Sequence, residues 1–183
     1  ENTDLKMYAV SSLKEAIEVS KHTEKDILIL DKVSEYKKVT EQMILTIINK
    51  DHLDEMIKSK CNLRVHLKIN TGMNRKGIDP SEFNECLSII NNTESLNLEG
   101  IYTHYASNKK SDLEKQFQCF KNLVKSLNRT KYLIHASSSV SSLLLRENLT
   151  NTCRIGIGLY GLNHKYEIMK NLKPVLSLYS CVE

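Results

Sequence analysis

The strongest constraint on this chain is an alternation: short runs rich in β-branched and aliphatic residues are separated by amphipathic stretches along all 183 residues. Parallel strands need a crossover between them, most often a helix, so this alternation predicts βα units around a parallel sheet. Strands are predicted at residues 7–10, 27–30, 43–48, 64–71, 98–105, 132–136 and 153–160, with a further extended segment at 174–182. Ser12-Leu13-Lys14-Glu15 and Asp79-Pro80-Ser81-Glu82 are capping-box patterns that predict helix starts, the second with proline at the first helical position. Over residues 112–127, Leu113, Phe117, Phe120, Val124 and Leu127 share one helical face, which predicts packing on the sheet. A further helix is expected at residues 140–146. The only prolines are Pro80 and Pro174, and the polar stretch 163–171 just before Pro174 is the expected domain edge.

Side chains alternate across a strand, so each strand has two faces to account for. In the strand predicted at 64–71, Val65, Leu67 and Ile69 make an apolar face that belongs against helices, while Arg64, His66, Lys68 and Asn70 make a polar one. Polar faces recur: Tyr102 with His104, His135 with Ser137, and Arg154 with Gly156. One such strand reads best as the wet side of an antiparallel sheet. Four in series on βα-spaced strands instead fit a TIM barrel, whose second face points inward and whose active site gathers at the C-terminal ends of the strands.

Composition narrows the function classes. Hydrophobic residues at 40% and charged residues at 26% exclude disorder as the main state. No apolar run approaches the roughly 20 residues that cross a bilayer, so no membrane partner is expected. The net charge of +4 is scattered, with no basic stripe interleaved with aromatics, and this argues against nucleic acid. Five cysteines, Cys61, Cys86, Cys119, Cys153 and Cys181, form no CxxC pair and suit a reducing, cytoplasmic setting. The chain opens on Glu1 without a basic and then apolar leader, so the expectation is a piece of a longer chain with no signal peptide.

The run from Val65 to Gly77, VHLKINTGMNRKG, closely resembles the strand-loop motif of bacterial alanine racemases. Further pieces follow in the family's order: EGIYTHYA from Glu99, IHASSS from Ile134, RIGIGLYG from Arg154 and LKPVLSL from Leu172. The combination of TGMxR with RxGIxLYG is specific, whereas either alone is weak. The resemblance implies an α/β fold, a partial TIM (β/α)8 barrel covering the second to eighth strand units. It places a cofactor-binding barrel domain at residues 1–171 and, at 172–183, the start of a connection to a β-rich domain.

The resemblance also implies pyridoxal 5'-phosphate as cofactor and roles for particular residues. Ser139 and the backbone of Gly156 and Ile157 correspond to the phosphate ligands, in keeping with the phosphate site that TIM barrels build after their last strands. Arg154 corresponds to the arginine facing the pyridine nitrogen and His104 to a histidine beside the ring. Arg75 corresponds to an arginine near the substrate carboxylate and the catalytic tyrosine, and Lys68 to a lysine that carries a carbamate in many members. The family's cofactor lysine lies in a motif like VKANAYGHG, which this sequence lacks, Lys6 and Lys14 instead flanking the unit that resembles the second strand. Smaller departures are Asn70 for Asp, Asn74 for Gly and Ser138 for Asn. The expected function is therefore part of an isomerase interconverting L- and D-alanine for cell-wall supply, homodimeric at full length, and inactive as this chain alone. The alternatives are a serine racemase of the same family and a non-catalytic barrel that binds a cofactor or partner.

Overall fold

The computed structural model describes residues 5–107, 109–145, 148–161 and 171–176. Six strands form one sheet: β1 (Met7–Val10), β2 (Asp26–Ile29), β3 (Met43–Ile47), β4 (Leu63–Lys68), β5 (Leu96–Tyr102) and β6 (Leu133–His135). Their spatial order is their order in sequence, and every neighbouring pair is parallel. A doubly wound open sheet would reverse direction at a switch point. This singly wound order is that of a partial TIM barrel, as the alternation of elements predicts.

The helices are α1 (Leu13–Ser20), α2 (Lys50–Ser59), α3 (Phe83–Asn91), α4 (Lys110–Val124) and the short α5 (Ser141–Leu144). Both expected capping boxes form. Ser12 Oγ accepts from the Glu15 amide while Glu15 accepts from the Ser12 amide, and the Asp79 box opens with a 3-10 turn at Pro80–Glu82 that leads into α3. The α4 face buries Leu113, Phe120 and Val124, together with Gln116, whose Oε1 accepts from the Ala106 amide at 2.9 Å. One apolar cluster joins these helices to the outer side of the sheet, with Val65, Leu67, Ile69, Ile101 and Ile134 meeting Leu53, Met56, Phe83 and Phe120.

The opposite face is ordered in rows by the strand register. Thr46, His66 and Gly100 are partners in one row, and Lys68, Tyr102 and His135 in the next. A bulge in β5 makes the first row possible: the register shifts between Val65 and His66, leaving Glu99 as the extra residue. The Glu99 carboxylate takes hydrogen bonds from Arg64 Nε (2.7 Å) and Nη2 (2.8 Å), while Asp26 accepts from the same guanidinium at 2.6 and 2.7 Å. This fork ties β2, β4 and β5 together below the buried His66. Gly100 then presents no side chain to the His66 ring, and a Cβ there would lie 2.6 Å from it.

One expected strand is absent. Residues 151–154 run beside β6 through a single bridge, His135 to Thr152, and through Arg154 N donating to Ser137 O at 3.0 Å. The chain then leaves the sheet and closes a 3-10 turn at Ile157–Tyr160 instead of continuing as a strand to residue 160. Among the described residues no strand pairs with the far edge of this segment, where Val175 N donates to Tyr160 O at 3.3 Å, and its glycines at 156, 158 and 161 disfavour extended structure. Of the extended segment expected at 174–182, residues 174–176 form no strand and 177–182 lie outside the described residues, as does most of the polar edge at 163–171. Replacing Gly100 by alanine is expected to destabilise the chain by about 1–3 kcal/mol in urea unfolding, through overpacking against His66. Unchanged stability would contradict the close approach of β5 to that ring.

Candidate active site

Polar side chains gather where β4, β5 and β6 end. Lys68, Tyr102 and His135 are the last residues of their strands and share one row, so the sheet itself brings them together. Tyr102 and His135 stack with centroids 4.6 Å apart and planes 9° from parallel. The Arg154 guanidinium lies over the Tyr102 ring at 4.9 Å and Lys68 Nζ lies 5.7 Å from the same ring. Tyr102 Oη meets Thr46 Oγ1 at 3.1 Å, fixing the phenol from β3.

Arg154 is held by the strand ends around it. Nη2 donates to Thr103 O at 2.8 Å and to Ala136 O at 3.3 Å, and Nη1 donates to His135 Nδ1. His104 Nδ1 lies 3.3 Å from Nη2. Nε and the second proton of Nη1 have no protein partner among the described residues. That leaves Arg154 donors for an incoming acceptor.

Ser139 is buried after β6, and its Oγ accepts from the Gly156 amide at 3.1 Å and the Gly158 amide at 3.2 Å. A hydroxyl and two backbone amides thus converge at the C-terminal ends of the strands. Gly156 is exposed, and a Cβ built there would meet nothing within 4 Å, so there is room beside Ser139 for an anion. The Ile157 amide forms no bond to Ser139; Gly158 does, a partner that residue order alone did not single out. Ile157 itself is 47% exposed.

Lys68 is buried on the inward face that its strand predicts. Desolvation, followed by the charges of Arg75, Arg154 and Lys76, pushes its ammonium down to about 8, with Asp31 alone acting in the other direction. Asp31 is itself paired with Lys76. The mouth of the sheet is therefore cationic. Arg75 is exposed in the loop after β4 and forms no hydrogen bond or ion pair among the described residues, although its charge reaches both Lys68 and His104. That loop is shaped by Asn70, whose Oδ1 accepts from the amides of Gly72 (3.3 Å) and Asn74 (2.9 Å). Asn74 has φ +52°, a left-handed conformation that asparagine tolerates, which explains how it serves where the racemase motif has glycine.

His66, His104 and His135 are kept neutral. Burial first, then the Arg154 charge, brings His66 down to about 3, His104 to about 4 and His135 well below its usual value. The partnership of His66 with His135, 3.0 Å between ring nitrogens, is a site feature that sequence reading missed. The shared inward face of the two strands was its only sequence signal.

The family model of the alanine racemase N-terminal domain matches residues 2–164. The chain belongs to this family. An alanine racemase from Streptococcus equi subsp. equi is 36% identical over 94% of this chain and 51% of its own length. Among solved structures, alanine racemase from E. faecalis superposes with TM-score 0.76 at 29% identity, over 85% of this chain and 45% of that one. Alanine racemase from Bacillus anthracis with bound L-Ala-P gives TM-score 0.76 at 27% identity, over 91% and 48%. The chain spans about half the length of the curated relatives it matches. In this racemase-family barrel no described helix is long and apolar enough to cross a membrane.

Neutral burial has a pH signature. His52, His66, His104 and His135 all have folded values below the usual 6.5, so the unfolded chain binds more protons than the native one as pH falls from 6.5. Stability is therefore complete above pH 6.5 and lost progressively toward about 3 for His66 and about 4 for His104. Urea titrations between pH 7 and pH 5, above the main carboxylate range, are expected to show proton uptake on unfolding by several imidazoles. A flat profile over that interval would contradict their neutral burial.

Proposed function

We propose that this chain is the cofactor-binding barrel of a pyridoxal-phosphate-dependent amino-acid racemase acting on alanine. The observation that carries this reading is the convergence of Ser139 Oγ with the Gly156 and Gly158 amides beside open space, within a mouth carrying Lys68, Arg75, Lys76 and Arg154. The two amides donate to Ser139 Oγ, which leaves the serine O–H to donate to a phosphate dianion, and the surplus of cations concentrates anions there. The residue types and the available room fit the group.

Ser139, Gly156 and Ile157 would hold the phosphate, with Gly158 supporting Ser139. His104 and Arg154 would border the ring. When bound, pyridoxal phosphate supplies an electron-withdrawing ring that makes the α-proton of an amino acid acidic. Arg154 offers the ring nitrogen a donor that does not surrender its proton, which keeps that withdrawal moderate and favours return of the proton over side reactions. Arg75 supplies a cation for the substrate carboxylate. The Lys68 amine, neutral in part near pH 8, can add carbon dioxide to give a carbamate and release a proton, and the resulting anion would draw the exposed Arg75 inward. The domain division at residue 171, a cytoplasmic setting and a dimer of the whole protein belong to the same proposal.

Titrating the chain with pyridoxal phosphate and, separately, with pyridoxal tests the phosphate site. The phosphate-bearing compound is expected to bind more tightly, and Ser139→Ala to reduce that preference about tenfold, the effect of one hydrogen bond to a charged group. Equal binding of the two compounds would overturn the assignment. Proton exchange on both faces of the α-carbon needs two positioned groups, and in the family these are the cofactor lysine and a tyrosine of the β-rich domain. This 183-residue chain is therefore expected to racemise alanine no faster than free pyridoxal phosphate. Turnover above that background, lost in Arg75→Ala, would place the proton-transferring groups within these residues.

A further inference from the structure

Two buried histidines are left without a role by this reading, and their hydrogen bonds determine where their protons sit. Arginine has only donors, so His135 Nδ1, which faces Arg154 Nη1, must be an unprotonated acceptor. A neutral imidazole carries one proton, which therefore lies on His135 Nε2. That atom is 3.0 Å from His66 Nδ1, so His66 accepts in turn and keeps its own proton on Nε2. The opposite direction would require His135 to accept at both nitrogens, as an imidazolate, which neutral pH does not permit. The sequence of donors thus runs one way, from Arg154 to His135 to His66.

The chain of bonds ends inside the protein. His66 is fully buried and its Nε2 has no partner among the described residues. An unsatisfied buried donor is costly and needs a reason. Gly100 leaves the ring only enough space to lie flat against β5, and the bulge at Glu99 sets that approach. The ring cannot turn to spare its N–H without losing the bond to His135. Stacking of His135 on Tyr102 holds the middle member in plane, with Tyr102 anchored to Thr46.

We propose that His135 and His66 are positioning residues that act through Arg154, both locked as the Nε2–H tautomer, fixing the plane of the guanidinium and so the direction in which its unpartnered donors point. The proposal rests on the reading of Arg154 as the group beside the cofactor ring. A protonated His135 would set two donors against each other, and Arg154 would have to withdraw. Arg154 is therefore steadied by a neighbour kept neutral, whose Nε2 proton the neighbour's neighbour accepts.

Nitrogen-15 NMR of the histidine rings in the whole chain, near neutral pH and without cofactor, tests this directly. Both rings are expected to show a protonated Nε2 and an unprotonated Nδ1. His66→Gln keeps an acceptor near His135 Nε2 and is expected to preserve the His135 pattern, whereas His66→Leu removes that acceptor and is expected to shift the His135 Nε2 resonance while Nδ1 stays unprotonated against Arg154. An Nδ1–H tautomer or an imidazolium at either position in the unaltered chain would overturn the proposal, whether or not the variants fold. Pyridoxal phosphate binding supplies the second readout: His135→Leu should weaken it at least severalfold, with His135→Gln nearer to the unaltered chain. If the tautomers are as stated and no binding is found, the cofactor reading fails and the relay stands; the reverse result removes the relay alone.

Discussion

A guanidinium that cannot shed its proton, placed where the strands end, dictates the state of everything around it. Arg154 keeps its charge even though burial lowers its affinity for the proton. Its neighbours must then accept hydrogen bonds or offer a π-face. Two carbonyls and His135 do the first, and Tyr102 does the second. No carboxylate touches Arg154 among the described residues, so its charge is not neutralised within the sheet. Under the proposed function this is the arrangement of a binding site; a structural ion pair is built differently, as Arg64 with Asp26 and Glu99 shows at the other end of the same strands.

The two ends divide the labour of the fold. At the N-terminal end, Arg64 meets both carboxylates and fixes the spacing of β2, β4 and β5. At the C-terminal end, Lys68 feels the charges of Arg75, Arg154 and Lys76 with Asp31 opposing them, and it gives up part of its affinity for a proton. Between them, the β5 bulge trades one regular ladder position for room to lay the His66 ring on Gly100. Stability below and unspent charge above agree with the way barrel enzymes separate a stabilising face from a reactive one.

Much of this was legible from residue order. A period of two placed Val65, Leu67 and Ile69 outward and His66 and Lys68 inward, and the βα rhythm gave the parallel order of six strands. The racemase motifs pointed to Ser139, Gly156 and Arg154, which the fold brings to one mouth. Residue order was less informative where the outcome depends on a neighbour. The strand expected at 153–160 has a single bridge to β6 beside it and two glycines within it, and it becomes a turn. Arg75 follows a strand that points inward, yet the Asn70 turn leaves it exposed. The His66–His135 contact depends on register and bulge across two strand pairs, neither of which has a signal in the sequence of a single strand.

A crystal structure of this chain with pyridoxal phosphate tests the central claim, that Arg154 is fixed inside the sheet as a non-surrendering donor for a cofactor ring. The expected result is a phosphate against Ser139 and Gly156, a ring nitrogen within hydrogen-bond reach of Arg154, and Arg154 Nη1 still on His135 Nδ1. A cofactor bound with its ring nitrogen away from Arg154, or an Arg154 turned out to solvent and released from His135, would contradict it.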